Sequence, residues 1–210
     1  MKITKHEHAF LQLEQAGEQL LIDPGMYSEG LPETSNVVAI TLSHVHDDHS
    51  FRPHLETLLQ RHPTARVFGP KEVAEKLSGI NVETCFHGDR HQVGAFVIDF
   101  YGYLHQEIHR SIPLVENLGV MVNGLYYPGD SYTIPEATVD TLACPSSAPW
   151  LKISDVMDFL AAVKPQRAFP THNALLSDAG HQLQNGRIKE VVEANGGSFE
   201  YLLPGQSVEI

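Results

Sequence analysis

Ser43-His44-Val45-His46-Asp47-Asp48-His49 packs three imidazoles and two carboxylates into seven consecutive residues. Neutral imidazole is the commonest protein ligand for metal ions, and carboxylate oxygen is a harder donor that works beside it on Zn²⁺. In an extended chain, residues two apart point to the same side, so His44 and His46 can converge on one ion. Asp48 and His49 follow closely enough to reach a second ion beside the first. The chemistry such a cluster implies is activation of water and polarisation of the bond it attacks. Histidine is abundant overall, 13 residues against 14 Lys and Arg combined. His6, His8, His54, His62, His87, His91 and His181 stand outside any such pattern and read as solvated surface residues.

The elements around the cluster must place it at the end of a buried strand. Val37–Leu42 is continuous, apolar and rich in β-branched residues, the pattern of a strand covered on both faces. A hairpin precedes it, with Ile3–Leu13 and Gln19–Asp23 joined through Gln15-Ala16-Gly17-Glu18 and closed by the breaker Pro24-Gly25. Helical spacing over Pro53–His62 and Pro70–Leu77 brackets a strand at Ala65–Phe68. Strands return at Ile80–Phe86, Ala95–Leu104, Leu118–Val122 and Leu125–Tyr127, the last two joined by Asn123-Gly124, a type I′ hairpin signal. This middle segment reads as antiparallel sheet. After a strand at Val139–Cys144, Ser154 caps a helix that runs through Val163 and is stopped by Pro165. Arg167–Phe169 is a short strand, and Ser177–Asn195 is a helix closed by Gly196-Gly197. Phe199–Leu203 and Ser207–Ile210 close the chain as strands.

Sets of strands with helices inserted between them point to two sheets covered outside by helices. No Gly-x-Gly-x-x-Gly or Gly-x-x-x-x-Gly-Lys occurs, which removes the main support for a nucleotide-binding doubly wound sheet. The 210 residues suffice for one domain, residues 1–210, with a sizeable core. A net charge of -12 repels a polyanion, which argues against nucleic-acid binding. No run approaches the ~18 apolar residues of a membrane span, and the first residues lack a signal peptide's apolar stretch, so the expectation is a cytoplasmic protein. Cys85 and Cys144, far apart, read as reduced and buried.

The Ser43–His49 run resembles the signature motif of the metallo-β-lactamase superfamily of binuclear metal hydrolases. The superfamily pattern continues in order through Ile22-Asp23-Pro24-Gly25, Tyr103-Leu104-His105, Tyr127-Pro128-Gly129-Asp130-Ser131 and Phe169-Pro170-Thr171-His172-Asn173. The resemblance implies an α/β fold, a four-layer αββα sandwich of two mixed β-sheets flanked by helices. It further implies that His44, His46 and His105 hold one metal, that Asp48, His49 and His172 hold the other, that Asp130 bridges them, and that Asp23 orients a ligand from behind. Five imidazoles and two carboxylates are too many for one tetrahedral ion and share well over two ions about 3.5–4 Å apart. His105 is preferred to His109 as the third ligand because it ends a strand, whereas His109 lies in the following loop.

Departures from the pattern narrow the expected chemistry. Asp130 stands where zinc β-lactamases commonly carry Cys or another side chain, and His46 stands where the flavin-partnered di-iron branch usually carries Glu. The long arms of related ribonucleases are absent, while Tyr127–Ser131 resembles the lactonase-like branch that includes ascorbate-phosphate lactonase. Two divalent ions set against two aspartates and a hydroxide leave a site of about +1, which draws a small anionic substrate. The expectation is therefore a hydrolase acting on a small lactone, ester or phosphoester through hydroxide made available by the metals. Asp48 and Asp130 act in catalysis, and His109, Arg110, Tyr132 or Asn173 face the substrate. Zn²⁺ is the expected ion, although Mn²⁺ or Fe²⁺ suits the same donors. The competing readings are a metal-dependent phosphodiesterase or nuclease, and a noncatalytic module that keeps its ligands because metal binding is also folding free energy.

Overall fold

The computed structural model describes all 210 residues. The chain begins as an antiparallel meander, β1 (Lys2–Lys5), β2 (Leu11–Gln15) and β3 (Glu18–Ile22), and crosses to β4 (Val37–Thr41), which lies parallel to β3. The helices α1 (Arg52–Arg61) and α2 (Lys71–Lys76) then connect β5 (Arg66–Gly69) and β6 (Val82–Thr84) in parallel succession. A second meander follows, β7 (Arg90–Val93), β8 (Phe96–Tyr101), β9 (Gly119–Val122) and β10 (Leu125–Tyr127). It leads into the parallel strands β11 (Thr141–Pro145), β12 (Arg167–Thr171) and β13 (Ser198–Phe199), with α3 (Ile153–Val163) and α4 (Asp178–Ala194) between them. Finally β14 (Ser207–Glu209) returns to pair with β1 in the first sheet.

Each sheet has seven strands, ordered β14-β1-β2-β3-β4-β5-β6 and β13-β12-β11-β10-β9-β8-β7, and each is half antiparallel and half parallel. Strand alternation divides the apolar residues among three cores. Leu20 and Ile22 of the first sheet face Phe100, Val120 and Tyr127 of the second in the central core. Leu21 and Ile40 point the other way, onto Leu55 and Leu58 of α1. Met121, Tyr126 and Leu142 meet Phe159 and Leu160 of α3 and Ile188 of α4 on the outer face of the second sheet. The layers are thus helix, sheet, sheet, helix, the αββα arrangement of two mixed sheets that the sequence implied. No helix is long and apolar enough to cross a membrane.

Several local expectations change. The strand expected at Ala95–Leu104 is present as β8, and Gly94, at φ 54°, lets a further strand, β7, pair with it as a hairpin. β8 stops at Tyr101, so His105 lies in a loop and does not end a strand. Ser154 does not cap α3: Lys152 occupies the cap position without a side-chain bond, and the Ser154 hydroxyl donates to Asp155 instead. Ser177 does cap α4, accepting from the Gly180 N–H. Phe199–Leu203 pairs only through Phe199. Asn123 and Gly124 both take positive φ, 46° and 96°, as a type I′ turn requires. Both cysteines are free and buried.

Candidate metal centre

β4 carries the Ser43–His49 run to the seam between the sheets, where the Leu118 N–H of the second sheet donates to Ser43 O. Asp23 follows β3, Asp130 follows β10 and His172 follows β12, so each lies beyond the carboxyl end of a strand. His44 and His49 are fully buried, His105, Asp130 and His172 nearly so, and the Asp48 side chain is 24% exposed. The loop that bears Asp23 lies directly on the histidine run. A Cβ on Gly25 would stand 1.7 Å from Asp48 O, so no larger residue fits there without moving the backbone.

Two sets of donor atoms converge. His44, His46 and His105 form one, with His44 Nε2 3.0 Å from His46 Nδ1. Asp48, His49 and His172, together with His8, form the other. Asp130 lies between them: Oδ1 is 3.3 Å from His49 Nε2, and Oδ2 is 3.3 Å from His105 Nε2 and 3.0 Å from His172 Nε2.

The opposite side of three of the rings is tied down. His105 Nδ1 is 2.6 Å from Gln106 O and His172 Nδ1 is 2.5 Å from Ser147 O, contacts that require N–H at Nδ1. His49 Nδ1 sits 2.7 Å from Asp23 Oδ2, which also accepts from Ser43 Oγ and Tyr127 OH, while Asp23 Oδ1 accepts the Ser43 N–H. With Nδ1 donating outward, Nε2 of each neutral ring presents a lone pair inward. His49 Nε2, His105 Nε2, His172 Nε2 and Asp130 Oδ1 are all buried without a hydrogen-bond partner. Such donors crowded face to face in a buried site favour positive charge among them, and the imidazole and carboxylate set fits a divalent ion.

The electrostatics agree. Burial works against charge on Asp130, yet His172 and His49 hold its carboxyl well below the ordinary range. Burial also works against charge on Asp48, and the contacts from His172 and His8 overcome it in the same direction. Burial resists protonation of His172, but Asp130 and Asp48 push it up to about 10. Burial, reinforced by His49, keeps His44 well below the imidazole range. The carboxylates thus draw positive charge into the centre of the cluster.

The seven residues expected to hold metal therefore come together. Of those expected to face substrate, Asn173 is buried beside His172 and lines a cavity of about 490 Å³ that His8, Tyr27 and Tyr201 also border. His109 and Arg110 are exposed on the loop beyond His105, with His109 Nδ1 2.8 Å from Ser111 Oγ. Tyr132 packs against Trp150 and Phe159 under the outer helices.

One expectation is overturned outright. His8 is 2% exposed, and burial pulls its imidazole down to about 4, so it is not a solvated surface residue. It closes on Asp48 because the β1–β2 connection folds over the seam, a long-range contact that pattern does not display; its only signal was the pair His6-Glu7-His8. Trp150 was also missed. Its Nε1–H donates to Asp130 Oδ2 at 2.8 Å, and a lone tryptophan after a strand carries no motif.

The β-lactamase superfamily domain family matches residues 2–172. The chain belongs to the metallo-β-lactamase superfamily. Over 197 residues it is 34% identical to Protein Rv0786c of Mycobacterium tuberculosis, covering 91% of this chain and 92% of that one. It is 33% identical over 114 residues to a UPF0173 metal-dependent hydrolase of Bacillus cereus, covering 50% and 48% respectively. Among solved structures, Igni18, a metallo hydrolase from Ignicoccus hospitalis, superposes with a TM-score of 0.76 at 18% identity, over 99% of this chain and 97% of that one. That superposition establishes the superfamily fold.

Proposed function

We propose that this metal-dependent hydrolase of the metallo-β-lactamase superfamily uses two divalent ions to cleave a small, anionic lactone, ester or phosphoester. The observation that carries the reading is the set of inward-facing, unpartnered atoms His49 Nε2, His105 Nε2, His172 Nε2 and Asp130 Oδ1. In this reading His44, His46 and His105 would hold one ion and Asp48, His49 and His172 the other, with Asp130 placed to serve both sets. Zn²⁺ is the proposed metal, and Mn²⁺ or Fe²⁺ would take the same donors. Such a pair of ions lowers the pKa of water toward about 7 and polarises the oxygen of the bond under attack.

The chain's own residues supply the rest. Asp48, the most exposed of the carboxylates here, orients the attacking water and accepts its proton. Trp150 fixes Asp130 so that both sets of imidazoles keep their distance from it. Asn173, His109 and Arg110 contact the substrate, with Arg110 supplying positive charge for its anionic part. The net charge of -12 opposes entry of a long nucleic acid, so the substrate is a small molecule.

Metal content per chain, measured by mass spectrometry on protein purified without chelator, tests the centre. About two ions per chain, falling in His46→Ala, is the expected result, and none after supplementation sinks the reading. A lactone panel run beside a bis-aryl phosphate then tests the substrate class. Cleavage of the aryl phosphate alone would favour a phosphodiesterase. Unchanged turnover in a folded, metal-replete Asp48→Ala variant would remove Asp48 from the mechanism.

A further inference from the structure

His8 belongs to neither the superfamily motifs matched above nor the ligand sets assigned to the two ions, yet three of its atoms are committed at the seam. Its carbonyl accepts the His172 N–H at 2.9 Å. Its Nδ1 accepts the Ala174 N–H at 3.3 Å. Its Nε2 lies 3.2 Å from Asp48 Oδ2. The residue adopts φ 58°, a left-handed conformation that a non-glycine residue holds only where its surroundings over-determine it. His6 and Phe10, ring centroids 4.7 Å apart, brace the loop on either side, and the His6 N–H closes it on Phe10 O.

The tautomer decides what His8 does. A backbone N–H can only donate, so Nδ1 must present its lone pair to Ala174. The single proton of the neutral ring therefore sits on Nε2 and points at Asp48. A ring held in that form cannot offer Nε2 to a metal, although Nε2 lies among the atoms that could surround one. We propose that His8 is a positioning residue that fixes Asp48 and the His172 loop together, and so sets the affinity of the second ion without touching it.

The geometry gives this role a direction. Asp48 rides on the loop after β4, whereas His172 follows β12 of the other sheet, so the second ion's ligands come from separate sheets. His8, on the β1–β2 connection, is hydrogen-bonded to both loops at once. His44, His46 and His105 make no hydrogen bond to it. Losing the donor frees Asp48 to rotate, and outer hydrogen bonds of this kind are worth about 10- to 100-fold in metal affinity. The effect should fall on one ion only.

The inference rests on the binuclear reading, so wild-type protein loaded with Zn²⁺ is measured first. One ion per chain in the wild type overturns that reading and this inference with it. Given two ions, stepwise affinities are measured by competition with a chromophoric chelator in wild type, His8→Phe and His8→Gln. The expected result is a 10- to 100-fold loss for one ion in His8→Phe, the other ion unchanged, and substantial recovery in His8→Gln, whose amide N–H can still reach Asp48. Equal weakening of both ions, no weakening of either, or a His8→Gln variant no better than His8→Phe overturns the proposal. Should His8→Phe fail to fold, ¹⁵N-histidine NMR of the zinc-loaded wild type decides. A protonated Nε2 and a bare Nδ1 on His8 support the role, and a metal-bound Nε2 overturns it.

Discussion

Asp130 is the residue on which most of the candidate centre leans, and what holds it is a ring outside the ligand set. The Trp150 indole donates to Oδ2, and the Asn117 side-chain oxygen accepts the Asp130 N–H at 2.9 Å while its amide donates to Pro128 O. Gly129, at φ 63°, permits that approach, since a Cβ there would stand 2.4 Å from Asn117 Oδ1. Trp150→Phe keeps the packing and removes one donor. It should therefore lower kcat/KM by about 10- to 100-fold with little loss of stability. Steady-state kinetics beside a urea melt checks this, and unchanged kinetics would show that Asn117 alone suffices.

Among the elements, direction matters more than identity. β1, β3 and β4 of the first sheet run the same way, as do β8, β10, β11 and β12 of the second. The candidate residues lie past the carboxyl ends of these strands, where an open α/β sheet leaves its crevice. The histidine run is also pinned from outside. Lys76, at the end of α2, donates to Asp47 Oδ1 at 2.7 Å, to Ser50 O and Oγ at 3.1 Å, and to Val45 O. Lys76→Met keeps the stem and loses this cap. Stability should fall by about 2 kcal/mol and the metal content should fall with it. Denaturant titration together with metal analysis measures the two effects.

At the scale of the whole molecule, the metal centre and the fold are thermodynamically linked. Each ion held at about 1,000 times its Kd contributes about 4 kcal/mol, so the two ions proposed here contribute about 8 kcal/mol, which for a chain of this size corresponds to roughly 20 °C. Chelation should lower the calorimetric Tm by that amount and re-addition of zinc should restore it. A Tm indifferent to chelator would separate the ions from folding. The second whole-molecule effect comes from Lys5, 1% exposed and donating to His6 O, whose ammonium burial lowers to about 8. The unfolded chain binds this proton more tightly, so stability rises as pH climbs from about 8 toward the ordinary lysine range. Relative to Lys5→Met, wild type should gain on the order of 3 kcal/mol between pH 7 and 10.5, read from paired urea melts. Parallel stability curves for the two proteins would contradict this.

Strand patterning in the sequence by itself pointed to the two-sheet architecture, and the resemblance carried by its ordered motifs pointed to the superfamily and to the seven residues that meet at the centre. They could do so because each motif is local, lying within a few residues of the end of a strand. Residues without a local pattern were decided only by the tertiary structure. His8, Trp150, Asn117 and Lys76 act across 40, 20, 13 and 29 residues of chain respectively, on partners that the packing of two sheets brings beside them. His105 shows the same division. Its identity was legible from order along the chain, but its place depends on where β8 stops, on the turn at Gly102, and on the backbone bond from its N–H to Val115 O. Sequence specifies which donors are present, and the closure of one sheet on the other decides which lone pairs are left facing inward.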